Sequence, residues 1–241
     1  MNMRSTNGFC RYLLPMVGAL LMIGSHWLPG AEPRTRVVFY AMGDVPYEPA
    51  EDTLLPRQIS ELPRDAEFVV HVGDIKSGST PCDEAVYNKV FGMLTQSKPT
   101  VFIIPGDNEW NDCADPDNAW TLWKKHFTRF DQRWKHRFAV LRQISRRENF
   151  SFVRNGVLFI GLNLVGGRLH DPDEWEKRHD DNLEWVKRNL RYYESKASCL
   201  LMNSTSSAWS IVIEVAIGAA RWSKTTLSAR CWEPTSRGCR A

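Results

Sequence analysis

The chain has 241 residues and a formal net charge of +3, with 43% hydrophobic and 24% charged residues. That length supports one domain with a substantial core, and at most two. The near-balanced charge argues against a nucleic-acid binder with a strongly basic face, and ordinary globular composition leaves function to local motifs.

Arg4 and Arg11 precede an apolar run from Leu13 to Leu28, broken by Pro15 and by Ser25-His26. Basic residues ahead of a short apolar segment describe a secretory signal peptide. The run is shorter than the roughly 20 residues that span a bilayer. Cleavage is expected near Ala31, although Pro29 departs from the usual small residue two positions earlier. Residues 1–31 are therefore read as a signal peptide and the mature chain as secreted or periplasmic. A retained membrane anchor and a buried core helix are the alternatives.

Between Arg34 and Lys196 strand-like and helix-like segments alternate. Val37–Tyr40 is a short apolar run ending at Gly43-Asp44, and a helix is expected from Thr53 to Leu62. Phe68–Val72 reads as a buried strand ending at Gly73-Asp74. Asp83 to Gln96 reads as an amphipathic helix, with Asp83 near its N-cap and Val86, Val90, Phe91 and Leu94 facing inward. Val101–Ile104 ends at Pro105-Gly106-Asp107-Asn108-Glu109. The basic, aromatic stretch Trp120–Phe138 is expected to form a helix face carrying His126 and His136. Its tryptophans, with Trp110, belong to core or rim rather than to a sugar platform. Phe150–Arg154 and Val157–Leu164 flank Asn155-Gly156, a strong hairpin signal. His170 and His179 flank the acidic segment from His170 to Asp181 and are expected to be exposed, with a role as ligands in a long loop as the alternative. Asp181–Glu194 reads as a helix with Leu183, Val186 and Leu190 on one face. Such alternation predicts an α/β class with βαβ units and a mostly parallel sheet.

Cys82 and Cys113 are the only cysteines in the central part of the chain, and each follows a motif-bearing strand end. In an oxidising compartment this pair is expected to form a disulfide tying two loops together. Two free thiols are the alternative; neither cysteine belongs to a CxxC of the kind that holds zinc. After Lys196 the character changes. Residues 197–241 contain only Glu214 and Glu233 as acids, no Asp and no His, but carry Cys199, Cys231 and Cys239. The shift fits a changed reading frame or misassigned end near residue 197. Residues 32–196 are thus read as the domain and 197–241 as a divergent tail. A genuine tail that folds differently is the alternative, with the apolar run Ile211–Ile217 as a strand in it.

Three apolar strands in succession end in Gly-Asp. In α/β sheets ligands gather outside the carboxyl ends of strands. Carboxylates converging there repel one another unless a cation neutralises them, and the preceding glycine permits a sharp turn and close approach. One Gly-Asp is an ordinary turn or helix cap; three in succession favour a metal site.

With these motifs the chain resembles the calcineurin-like metallophosphoesterases. Gly43-Asp44-Val45-Pro46 stands for that family's D-x-H, and Gly73-Asp74-Ile75-Lys76-Ser77-Gly78 matches its G-D-x-x-x-x-G. Gly106-Asp107-Asn108-Glu109 resembles its G-N-H-[DE]. The resemblance covers residues 35–165. It implies a two-sheet sandwich flanked by helices, incomplete at the C-terminus, around two divalent metal ions (Mn, Fe, Zn or Mg). By position, Asp44 would hold the first metal, Asp74 would bridge both, and Asp107 would replace the Asn ligand of the second. Asn108 takes the place of the histidine that acts on substrate: it could donate a hydrogen bond but not serve as a general acid. Lys76 would supply positive charge to a phosphate if it faces the site, and would otherwise be a solvated loop lysine. Pro46 stands where the family has a ligating His, and the later lone His and G-H-x-H are not found. His71 is expected to be a satisfied core histidine.

The implied function is metal-dependent hydrolysis of a phosphate ester, impaired by these departures. No nucleic-acid partner is expected, and a membrane only if the signal segment is retained. An inactive exported metal- or ligand-binding relative, and an unrelated Mg²⁺-dependent hydrolase or nuclease, are the alternatives.

Overall fold

A computed structural model describes residues 36–193, 198–202, 211–212 and 226–231. The segment read as a signal peptide lies outside the described residues, as does most of the tail. Among the described residues no helix is long and apolar enough to cross a membrane.

Strand β1 (Arg36–Met42) buries every residue after Arg36, as expected for an apolar run covered on both faces. Helix α1 (Glu51–Ser60) begins two residues earlier than the apolar pattern indicates, because Glu51 Oε2 accepts the N–H groups of Tyr47 and Glu48 and ties down the first turn. Strand β2 (Phe68–His71), helix α2 (Glu84–Leu94) and strand β3 (Thr100–Ile103) follow. Helix α3 (Pro116–Phe127) carries Asp115 as its N-cap, whose carboxylate accepts the Asn118 N–H at 3.0 Å. It does not continue to Phe138: Thr128 is extended, Arg129 is left-handed at φ 58°, and a single 3₁₀ turn occupies Phe130–Arg133.

Strands β4 (Leu141–Arg142), β5 (Phe150–Arg154) and β6 (Val157–Gly161) are antiparallel neighbours. The expected hairpin sits at Asn155-Gly156, where φ is positive at both positions (49° and 77°), as a two-residue turn of this twist requires. Helix α4 (Pro172–Tyr193) starts nine residues before the Asp181 expected from the sequence. Its buried residues are Arg178, Asn182, Trp185 and Asn189. The inward stripe is helical in spacing but largely polar, so the hydrophobic pattern does not reveal its first half. Leu183, expected inside, is 51% exposed. Strands β7 (Ser198–Met202), β8 (Ile211–Val212) and β9 (Thr226–Cys231) complete the described elements. Ile211–Val212 lies in the run read as a strand; the rest of that run is outside the described residues.

The described residues form two sheets, in a mixed α/β architecture with four α-helices. The first has the order β3-β2-β1-β9 and is wholly parallel. The second has the order β4-β5-β6-β7-β8 and is antiparallel apart from the β6–β7 pair. Alternation along β1–β3 divides the core. Val38, Tyr40, Met42, Val69, Val101 and Ile103 pack against α1, α2 and α3. Val37, Phe39, Ala41, Phe68, Val70 and Phe102 meet Phe150, Phe152, Val157 and Phe159 of the second sheet. Leu158 and Ile160, on the other face of that sheet, pack under Trp185 of α4.

Candidate functional site

The parallel order β3-β2-β1 brings the carboxyl ends of the three motif-bearing strands side by side. The chain must turn sharply at each end to leave the sheet. Asp44 and Asp74 are left-handed (φ 55° and 58°), and Gly73 has φ 93°. The β2 and β3 loops are in backbone contact: a Cβ on Gly73 would lie 2.2 Å from Gly106 N, and one on Gly106 would lie 2.1 Å from Asp74 Oδ1. Only glycine permits this approach.

Glu109 locks the arrangement from below. It is fully buried, and its carboxylate accepts the N–H groups of Gly106 (2.6 Å), Asp74 (3.3 Å) and Ile75 (3.3 Å). Its oxygens are spent on holding two loops in register. Burial pushes its carboxyl above the usual range, against the pull of these donors. His71 holds the back of the first two loops. It is fully buried, its Nδ1 accepts the Gly73 N–H, and its Nε2 lies 3.2 Å from the Val45 carbonyl. An acceptor role for Nδ1 places the ring proton on Nε2, so His71 is the satisfied core histidine expected.

The predicted site residues divide into two groups. Asp74 and Asp107 are both 6% exposed, and their carboxyl groups are in hydrogen-bonding contact. Asn108 N–H donates to Asp74 Oδ1 at 3.1 Å. Burial, then the charges of Glu109 and Asp107, drive the Asp74 carboxyl far above its ordinary pKa. Lys76 is 2% exposed, which is not the burial of a solvated loop lysine. Its Nζ donates to the Ser77 carbonyl at 3.1 Å. Burial lowers its pKa, while Glu109, Asp74, Asp112 and Asp107 oppose that shift. Asp44, by contrast, is exposed and accepts the Tyr47 O–H at 2.9 Å. The same phenol oxygen accepts the Asn108 Nδ2–H at 2.8 Å, which joins the first motif to the third.

Cys82 and Cys113 form a disulfide with Cα atoms 6.0 Å apart, and the sulfurs lie 3.7 and 3.6 Å from the Asn108 carbonyl oxygen. The cross-link fastens the segment before α2 to the third motif loop. A further loop after β6 closes over the same motif. Asn111 Nδ2–H donates to the carbonyls of Gly166 and Arg168, and its Oδ1 lies 2.8 Å from His170 Nδ1. The Arg168 guanidinium caps the carbonyls of Asn111 and Cys113. Gly167, at φ +75°, lets this loop pass where a Cβ would sit 2.8 Å from Asp107 Oδ2. Tyr47, Asp112 and residues 166–169 carry no expectation in the sequence, and Glu109 appears there only as the acid that ends the third motif.

The other imidazoles among the described residues are engaged elsewhere. His126 Nε2 lies 3.3 Å from Glu84 Oε1, His136 Nε2 lies 3.3 Å from Asp131 Oδ2, and the His179 ring lies 4.1 Å from that of Trp175 on α4. Trp110 and Trp123 are buried, in the core as expected.

A divalent cation is the group that the family resemblance implies. The buried, mutually repelling Asp74 and Asp107 fit a hard cation, since two carboxylates in contact cannot both be charged without a counter-ion or a shared proton. Among the described residues, however, no three His, Cys, Asp or Glu side chains are gathered as a metal-holding group. Any fit is therefore to the Asp74–Asp107 pair; Asp44 is exposed and its carboxylate is engaged by the Tyr47 O–H. Comparison with protein-family models finds no match, and comparison with curated proteins finds none either.

Proposed function

We propose that this chain is a metal-dependent phosphoric ester hydrolase, a phosphatase or phosphodiesterase, of the calcineurin-like metallophosphoesterase type. The observation that carries the reading is the contact of buried Asp74 and Asp107 at the adjoining ends of two parallel strands, with Lys76 buried among the same carboxylates. Asp74 and Asp107 would hold a divalent ion; Asp44 as a further ligand is what the resemblance adds, and it is not gathered with that pair here. Two ions, of Mn, Fe, Zn or Mg, are what the family resemblance implies. Bound there, such ions supply Lewis-acid stabilisation of a phosphoryl group and a water of lowered pKa. The chain's own residues contribute around them: Lys76 offers positive charge to a phosphate, and the Asn108 amide offers a neutral donor to a phosphoryl oxygen. Asn108 holds no proton to give a leaving group, so the site favours esters whose leaving groups depart unaided.

Hydrolysis of p-nitrophenyl phosphate and its bis-ester with added Mn²⁺ tests the reading. Asp74→Asn keeps the side chain's shape and removes its charge. It is expected to lower kcat/KM by at least about a hundredfold, in line with loss of a group that organises transition-state charge. Activity that survives this substitution would remove Asp74 from the proposed role.

A second reading has its own support. Proline at position 46, asparagine at position 108 and the absence of a three-ligand group among the described residues favour an inactive relative that binds a metal or ligand. Saturable Mn²⁺ binding with no hydrolysis of either ester would decide for it.

A further inference from the structure

Tyr47 lies three residues after Asp44, between β1 and α1, and its peptide N–H is held by Glu51 Oε2 at 2.6 Å. Its half-buried phenol has two partners, both of them candidate site residues. The O–H donates to Asp44 Oδ1 at 2.9 Å, and the oxygen accepts from Asn108 Nδ2 at 2.8 Å. The other end of the Asn108 amide faces Gly78, where a Cβ, if present, would lie 2.9 Å from Oδ1. A primary amide presents two N–H donors on one side and an acceptor on the other, and a half-turn about its last torsion exchanges them. Because the phenol's proton is given to Asp44, its oxygen can only accept from Asn108, so the half-turn would set oxygen against oxygen, and the second N–H remains for another acceptor.

We infer that Tyr47 is a positioning residue, whose phenol fixes the Asn108 amide donor-first towards a phosphoryl oxygen and links it to the Asp44 carboxylate. The inference rests on the hydrolase reading for its consequence and on the hydrogen bonds for its mechanism. It is distinct from metal ligation, because the phenol acts through two neighbours rather than on the reacting atoms. Loss of a group that orients such neighbours lowers activity or metal affinity by roughly 10- to 100-fold.

Tyr47→Phe removes the oxygen and keeps the ring. In metal-free protein the Asn108 side-chain amide, followed by NMR, is expected to lose order and to exchange with water faster. In Mn²⁺-loaded protein kcat/KM for p-nitrophenyl phosphate is expected to fall roughly 10- to 100-fold. Adding Tyr47→Phe to Asn108→Ala should then cost little more, because the two residues act as one unit. An amide with unchanged order and exchange, or losses that simply multiply, would overturn the inference. Should Tyr47→Phe fail to fold, 3-fluorotyrosine at position 47 retains the phenol donor and acceptor. It must preserve the wild-type amide order, and failure to do so also overturns the inference. If the wild type hydrolyses neither ester, the hydrolase reading falls and the amide readout alone decides the role of Tyr47.

Discussion

His71 illustrates how burial sets the chemistry of single residues here. Desolvation lowers its pKa from 6.5 to about 4, and its hydrogen bond to the Val45 carbonyl only partly opposes the shift. The unfolded chain therefore binds a proton between these values that the folded protein refuses. The stabilising contribution of neutral His71 is complete above about pH 6.5 and is lost as pH falls towards 4. A shift of this size corresponds to at most about 3 kcal/mol. Asp74 and Glu109 act in the opposite direction, because their folded pKa values are raised and protonation favours the folded state without metal. A global unfolding curve mixes the two effects, so the measurement must be specific. Histidine NMR should show one imidazole with no titration between about pH 8 and 5, and His71→Gln should abolish that signal. Titration of every histidine near neutrality would contradict the burial argument.

At the scale of elements, the disulfide and α4 show different ways of holding a loop. The Cys82–Cys113 bridge closes a loop of sequence separation 31. In the chain-entropy account such a closure contributes roughly 3–4 kcal/mol by restricting the unfolded state. Replacing both cysteines with serine is expected to lower Tm by about 10 °C, given some 2–4 °C per kcal/mol in a chain of this size. Since the bridge abuts Asn108, under the proposed function the same variant should weaken Mn²⁺-dependent turnover at temperatures where it is still folded. An unchanged Tm would mean that the loops hold their places without the bridge. Helix α4 instead uses amides. Asn182 accepts from Asn149 and donates to the Asn163 carbonyl, while Asn189 accepts from Ser151. Each contact satisfies a buried polar group that would otherwise cost about 1–3 kcal/mol. The helix docks by a specific pattern of partners, where a purely apolar stripe could slide.

For the whole molecule, the interface between the two sheets decides stability and the placement of the loops. Phe68 is fully buried there, with five other phenylalanine rings centred 5.1 to 5.8 Å away: Phe39, Phe102, Phe138, Phe152 and Phe159. Replacing it with alanine leaves a cavity on both sheets at once and is expected to cost about 3–5 kcal/mol. Urea unfolding followed by tryptophan fluorescence would show the midpoint shift. A loss below about 1 kcal/mol would mean that the sheets close over the gap. Phe68 also lies on β2, whose carboxyl end leads to Asp74, so under the proposed function the Phe68→Ala variant should lose metal-dependent activity at lower urea than it loses its fold.

The sequence by itself determined the local events. Apolar runs marked β1, β2 and β3, Asn155-Gly156 marked the turn between β5 and β6, and the repeated Gly-Asp marked the strand ends where candidate ligands stand. These features depend on neighbouring residues, and neighbours are what a sequence records. The start of α4 escaped because its inward face is written in Arg178 and Asn182 rather than in apolar residues. Only the tertiary structure decided which strand ends adjoin, that Lys76 is buried among carboxylates, and that Glu109 is consumed in holding loops. It likewise joined Tyr47 to Asn108 across 61 residues of chain. The physical reason is the same in each case. A buried polar group takes whatever partner the packed sheets bring to it, and no local pattern of residue types encodes that meeting.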